Sequence, residues 1–225
     1  MKTRSKRYKS AVTHKSNSDS YSTTEAVETL SKFESARFDE SVEISISLGV
    51  DPKQSSQAVR GTVNLPHGSG KEVKVLVFTE NPDDAVAAGA DYAGLEDLVK
   101  KVKDGWVDFD VALSTSGAMK EVRSVARVLG PRGLMPTPKA GTVTDDIASA
   151  IKEVKAGRVE FKMDKTGAMS VLVGKRSFKP EQLVENTQAA LEAVHSARPD
   201  GFKGKFIKRV HISSTMSPSL LLSVE

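Results

Sequence analysis

The chain has 225 residues, 38% hydrophobic and 28% charged, with 33 basic against 29 acidic side chains and a net charge of +4. That balance excludes a disordered chain, no apolar run approaches the roughly 20 residues that span a bilayer, and the length suits one large or two modest domains. Zero cysteines exclude disulfide scaffolds, thiolate zinc sites and cysteine nucleophiles, and the first 20 residues carry no secretion or transit pattern, so a reducing, cytoplasmic setting is expected.

Those first 20 residues are a basic arm, with Lys2, Arg4, Lys6, Arg7, Lys9 and Lys15 against Asp19 alone. Thr24 reads as the N-cap of a helix with Ala26, Val27, Leu30 and Phe33 at helical spacing. Val42, Ile44, Ile46 and Leu48 then alternate with Glu43, Ser45 and Ser47, a strand with one buried and one wet face. A second strand, Val59 to Leu65, ends at the turn-forming Pro66-His67-Gly68-Ser69-Gly70.

The pattern then changes. Val73 to Phe78 has little polar relief and reads as a strand buried on both faces. Helices follow over about Pro82–Ala88 and Leu95–Lys103, then a strand Phe109–Leu113 and a helix from about Ala118 to Leu129. A Gly/Pro loop, 130-GPRGLMPTPKAGTV-143, precedes a helix opened by Asp145 and Asp146 and running through Lys155. Alternating strands and helices argue for an α/β unit with a parallel sheet.

After Gly157 the alternation returns. Arg158–Met163 and Ala168–Val173 flank Asp164-Lys165-Thr166-Gly167, a hairpin turn signal. Pro180 starts a long amphipathic helix, and strands are expected over Phe206–Ser213 and Ser219–Val224. Neither flank alone makes a stable layer, whereas together they suit one domain with the α/β unit inserted between about His67 and Gly157. Two tandem domains split near residue 110 are the alternative.

Charge supports that division. Residues 68–159 hold 13 basic and 14 acidic side chains, so the flanks carry the whole basic excess. Within the middle, Lys120, Arg123, Arg127, Arg132 and Lys139 face Glu121 alone, and Lys203, Lys205, Lys208 and Arg209 cluster near the C-terminus. Such clusters read either as phosphate-facing surfaces or as solvated faces. The basic arm favours nucleic acid.

Few constellations suggest catalysis. Gly68-Ser69-Gly70-Lys71 fails as a phosphate loop, because the first glycine is missing, Glu72 replaces Ser/Thr, and a strand follows. His14, His67, His195 and His211 lack metal-ligand spacing. Asp108 and Asp110 share a strand face and could pair on Mg²⁺, although such acids more often solvate a strand entrance. No serine sits in a Gly-x-Ser-x-Gly elbow. The 130–143 loop is different: rigid, basic, and rich in backbone N–H groups able to approach phosphate, or else a connection capping the sheet. Arg37-Phe38 at a helix-to-strand corner could stack on a base, although locally Phe38 reads better as a plug of the core edge. Ser213-Ser214-Thr215-Met216-Ser217-Pro218 ends a strand with hydroxyls suited to 2′-OH and phosphate, or is simply a Ser-rich turn.

The stretch 122-VRSVARVLGPRGLMPTPKAGTV-143 closely resembles the signature of the bacterial-type ribosomal protein L-one family, the stalk protein of the large ribosomal subunit. ARFDESVE (36–43), SLGVDP (47–52), VRGTVNLPHGSGK (59–71), AGADY (88–92), DKTGA (164–168) and SSTMSPS (213–219) extend the likeness nearly end to end. The resemblance implies two hinged domains, the first assembled from both termini. The expected architecture is a two-layer α+β domain (1–67 and 158–225) with an inserted three-layer α/β, Rossmann-like domain (68–157).

The resemblance also implies a non-enzymatic constituent of the cytoplasmic ribosome, monomeric within it and independent of metal, cofactor or membrane. Its partners would be large-subunit ribosomal RNA, exit-site tRNA whose release it assists, and the leader of its own messenger, which bacterial members repress. Carried over by motif, the RNA surface would use Arg37, Phe38, Ser41, Ser213, Thr215, Met216 and Ser217, with Lys165, Thr166 and Gly167 nearby. Arg132 and Lys139 would make secondary contacts with RNA or tRNA. Two positions depart from the family pattern: Ser217 stands where glycine is usual, and Arg37 where lysine is common. Competing readings are an enzyme using the inserted domain on a nucleotide or phosphorylated substrate, and a repressor acting only on messenger RNA.

Overall fold

The computed structural model describes residues 4–15, 20–54, 57–199 and 201–223, with Lys139 described in its backbone only. Lys2 and Asp19 of the basic arm and Val224 of the last expected strand lie outside the described residues. The chain forms α1 (Lys6–Thr13), α2 (Thr23–Lys32), β1 (Ser41–Leu48), β2 (Arg60–Asn64), β3 (Val75–Phe78), α3 (Pro82–Ala87), β4 (Tyr92–Gly94), α4 (Glu96–Lys103) and β5 (Val111–Ser114). It continues through α5 (Met119–Val122), α6 (Ala126–Leu129), α7 (Ile147–Ala156), β6 (Arg158–Lys162), β7 (Ala168–Lys175), α8 (Pro180–Ser196), β8 (Ile207–Ser214) and β9 (Leu220–Leu222). Two compact units result, one from the chain up to Gly70 and from Val159 onward, the other from Lys71–Arg158.

The first unit is built on an antiparallel sheet of order β7-β1-β8-β9. Alternation along β1 buries Val42, Ile44, Ile46 and Leu48 in a core shared with α2 and α8. Burial of each contributes about 1.5–3 kcal/mol. The opposite face keeps Glu43, Ser45, Ser47 and Ser170 exposed, so the unit has two layers.

Three local features differ from the sequence reading. The N-cap of α2 is Ser22, in a capping box with Glu25, which places Thr24 inside the first turn. The basic arm contains a helix, α1, capped by the Ser5 hydroxyl on the Tyr8 amide and held by buried Ala11. The turn after β6 forms, but not a hairpin: β6 pairs with β2, while β7 joins β1. Phe161 on β6 explains the choice, because its ring packs over Gly61 of β2, where a Cβ would come within 2.7 Å of it.

Buried Asn186 on α8 fixes the 66–70 turn. Its amide donates to the Gly68 carbonyl (3.1 Å) and the Val173 carbonyl (2.7 Å), and its oxygen accepts the His67 N–H (3.1 Å). The Gly68-Ser69-Gly70 run is therefore a structural turn.

In the second unit β3 lies between β4 and β5, both parallel to it. All four β3 residues are fully buried. Leu98, Val102, Val122 and Leu129 pack on one side, and Ala85, Ile151 and Val154 on the other, giving three layers. β4 is too short to show a period in the sequence. The single helix expected over Ala118–Leu129 is split by a 3-10 turn at Arg123–Val125. The tighter turn aligns Val122 and Val125, three apart and both buried. Among the described residues no helix is long and apolar enough to cross a membrane.

Candidate nucleic-acid interface

The corner between α2 and β1 is organised by a buried carboxylate. Glu40 is 1% exposed. Its Oε1 accepts the Ala36 N–H (2.7 Å), and its Oε2 accepts the Ser214 hydroxyl (2.5 Å) and the Met216 N–H (3.2 Å). Arg176, just after β7, sets a guanidinium nitrogen 3.8 Å from Oε1. Burial pushes the Glu40 carboxyl up. The Ser214 hydroxyl, the two amides and the Arg176 charge outweigh it, leaving the group below its ordinary range. Asp39 adds a second clamp by accepting the Ser177 N–H and hydroxyl.

These clamps hold Arg37 and Phe38 outward. Phe38 is 52% exposed, so it does not plug the core edge, and Arg37 is exposed beside it. Met216, on the turn after β8, is 51% exposed. Only four large hydrophobic side chains among the described residues are exposed, and Glu40 ties two of them to one end of the sheet. Exposed apolar surface beside a cation with no ion pair among the described residues suits sugar and base edges next to phosphate.

The hydroxyls around it are mostly engaged. Thr215 Oγ1 accepts the Ser41 N–H (3.1 Å) and donates to the Ser41 carbonyl (3.3 Å). Ser217 Oγ accepts the Ser214 N–H (2.9 Å) and donates to the Pro218 carbonyl (3.1 Å). Ser41 Oγ accepts from Lys175 Nζ (2.9 Å). With their protons used internally, Thr215 and Ser217 retain acceptor capacity only; they can receive a 2′-OH proton but not donate to phosphate. No non-glycine residue has positive φ among the described residues, so Ser217 occupies the usual glycine position without backbone strain.

An open cleft of about 760 Å³ adjoins this end of the sheet. It is lined by Arg4, Ser5, Arg7 and Tyr8 of the N-terminal segment and by Thr215, Met216 and Ser217. Glu40, Lys175, Arg176 and the cleft-lining part of α1 escaped sequence reasoning. Glu40 and Lys175 give no periodic or motif signal of a partner far along the chain, and α1 was read only as charge.

Lys165, Thr166 and Gly167 are not nearby. Ser41 pairs with Lys175, whereas Ser47 pairs with Ala168 and the Leu48 N–H bonds Gly167. The 164–167 turn therefore sits at the far end of β1, roughly 20 Å from Ser41 at about 3.3 Å per residue. Asp164 shapes it by accepting the Thr166 hydroxyl and the amides of Thr166 and Ala168, which hold its carboxyl below the ordinary range. Gly167, at φ 80°, supplies the left-handed position, and Lys165 stays exposed. The open face of the sheet runs between the two ends. Ser45 lies there between Ser170 and His211, Ser47 beside Arg209, and Glu43 beside Ser213. Burial, then the charges of Arg209 and Lys15, push the His211 imidazole down.

In the second unit, the 130–143 loop caps the sheet: Val143 bridges to Ser114. Most of its amides are not free for phosphate. Those of Gly130, Gly133, Leu134, Thr137, Ala140, Gly141 and Thr142 are all donated within the unit. Arg132 remains exposed, and the Lys139 side chain lies outside the described residues. Asp108 and Asp110 are matched to lysines, Lys74 at 3.0 Å and Lys71 at 2.5 Å, and no cluster of three or more metal-ligating side chains occurs among the described residues.

Residues 30–218 match the model of the Ribosomal protein L1p/L10e family. The chain belongs to that family. The matched span contains every candidate residue of the first and second units named from the sequence, whereas α1 precedes it. The chain is similar to proteins called large ribosomal subunit protein uL1. The Kosmotoga olearia relative is 50% identical over 99% of this chain and 97% of its own length. That of Persephonella marina is 51% identical over 100% of this chain and 95% of the relative, and that of Thermosipho melanesiensis 48% over 96% and 94%. The family is one of ribosomal proteins, not a class of enzymes.

Proposed function

We propose that the protein is a structural constituent of the large ribosomal subunit in the cytoplasm and grips large-subunit ribosomal RNA with its first unit. The observation that carries the reading is the outward pair Phe38 and Met216, fixed through buried Glu40 beside exposed Arg37. RNA lies across the open sheet face, from this pair to Lys165, passing Ser45, Ser213, Arg209 and His211. Phe38 and Met216 pack on bases and sugars, the cations meet phosphates, and Ser41, Ser213, Thr215 and Ser217 accept 2′-OH protons. Shape and unpaired nucleotides then set specificity.

The same reading treats 1–67 with 158–225 as one RNA-binding domain, and 68–157 as an inserted domain that offers Arg132 and Lys139 to RNA or tRNA. Assistance in releasing deacylated tRNA from the exit site, and repression of its own messenger through a leader resembling the ribosomal site, complete the proposal. No catalysis is assigned to the chain. The test is binding of the full chain to large- and small-subunit ribosomal RNA, with Phe38→Ala alongside. Preference for the large-subunit RNA, weakened roughly tenfold by Phe38→Ala, supports the grip; equal binding of the two RNAs overturns it.

A further inference from the structure

The cleft between α1 and the Thr215–Ser217 turn is larger and more basic than a phosphate grip on the sheet end requires. Its size falls within the range of sites that hold a small organic ligand. It is open to the surface, as a site must be when the occupant is one link of a continuing strand. Both of its walls are fixed. Ala11 buries α1 in the core, Lys15 Nζ donates to the Ser219 carbonyl, and the Glu40 network holds Met216.

Among the described residues, no carboxylate lines the cleft. Arg4 sets its guanidinium 4.7 Å from the centroid of the Tyr8 ring, so the two form a stacked cation and aromatic pair. Arg7 has no ion pair among the described residues. Met216 contributes an exposed thioether from the opposite wall. An aromatic plane, a guanidinium plane, a polarisable apolar edge and two cations match a nucleobase with its phosphate. A base within a duplex cannot present its face to such a pair.

We propose that this cleft takes one unpaired nucleotide of the bound RNA, its base stacked on the Arg4–Tyr8 pair against Met216 and its phosphates met by Arg4 and Arg7. The inference rests on the RNA-binding reading above and extends it to an element that precedes the family match. α1 is thereby a second wall of the interface, closing on a strand that the sheet end holds from the other side.

The test uses the full chain with Tyr8→Ala, Tyr8→Phe, Arg4→Gln and Arg7→Gln, alongside Phe38→Ala. Probes are large-subunit ribosomal RNA and a short single-stranded RNA carrying 2-aminopurine, free and annealed to its complement. The wild type should quench the single-stranded probe and not the duplex. Tyr8→Ala should abolish most of the quench and weaken ribosomal RNA binding roughly tenfold, while Tyr8→Phe retains both. Each arginine substitution should lower the salt slope of binding by about 1. If Tyr8→Ala binds within twofold of wild type while Phe38→Ala weakens, the nucleotide pocket is wrong and the sheet-end grip stands. Equal quench of single strand and duplex also overturns the pocket, and loss of large-subunit preference in the wild type removes both.

Discussion

The Glu40 carboxylate and the Met216 amide, 176 positions apart in the chain, meet at 3.2 Å at one end of the first unit's sheet. Through that contact a buried acid sets the position of an exposed methionine, and through its bond to the Ala36 amide it sets Phe38 as well. Stability and recognition meet in this one side chain.

Glu40→Gln keeps the shape but places an amide NH₂ against the Ala36 or Met216 N–H groups and the Ser214 hydroxyl. A buried donor facing donors costs about 1–3 kcal/mol, so denaturant unfolding should show a loss near 2 kcal/mol. Phe38→Ala, at a half-exposed site, should cost less than 1 kcal/mol in stability while weakening RNA binding roughly tenfold. The pH profiles should differ in the acid range. The folded-state pKa of Glu40 is lowered from 4.5, so its contribution is complete above that value and is lost as pH falls through the folded value. Glu40→Gln should remove that part of the acid limb. An unchanged acid limb would show that Glu40 is not held as the anion.

His211 acts in the same sense, in a higher pH window. Its folded pKa is lowered from 6.5, so its contribution to stability is complete above 6.5 and is lost as pH falls from there through the folded value. RNA phosphate on the open face opposes the Arg209 and Lys15 charges that help depress it, so bound RNA should raise the His211 midpoint, followed by the NMR shift of its ring proton. A midpoint unmoved by RNA would place the strand away from this face.

The layers were legible because each buried face writes its own period. The alternation in β1 and the unbroken Val75–Phe78 run led to the two-layer and three-layer architectures. What stayed hidden depends on partners remote in sequence. Nothing local marks Glu40 as the buried member of a charged corner, or shows that Thr215 and Ser217 use their protons on Ser41 and Pro218. The Lys165 turn looked adjacent to the Phe38 corner because motifs carry no distances; the register of β1 separates them. The glycines of the 130–143 loop suggested free amides, yet those amides close its own turns.

Ser217→Gly tests the one departure in the turn. The substitution removes the side-chain acceptor of the Ser214 N–H and leaves backbone geometry free, because φ at Ser217 is already negative. The expected outcome is a loss of about 1 kcal/mol in stability and an RNA Kd within about tenfold of wild type, or roughly 1.4 kcal/mol. A larger gain in affinity would mean that the serine Cβ holds RNA away from the backbone.

Arg37 and Lys165 test whether RNA spans the sheet. They lie at opposite ends of β1, too far apart to share a phosphate, so their effects should add. Arg37→Ala and Lys165→Ala should each lower the dependence of log K on log salt by about 1, and the double variant by about 2. Neither change should alter stability beyond about 0.5 kcal/mol, because both side chains are exposed. If Lys165→Ala leaves the salt slope at its wild-type value while Arg37→Ala lowers it, the strand ends on the Phe38 side of the sheet. The open row of Ser45, Ser47 and Ser170 is then solvated surface, and the grip is confined to the Glu40 corner and its cleft.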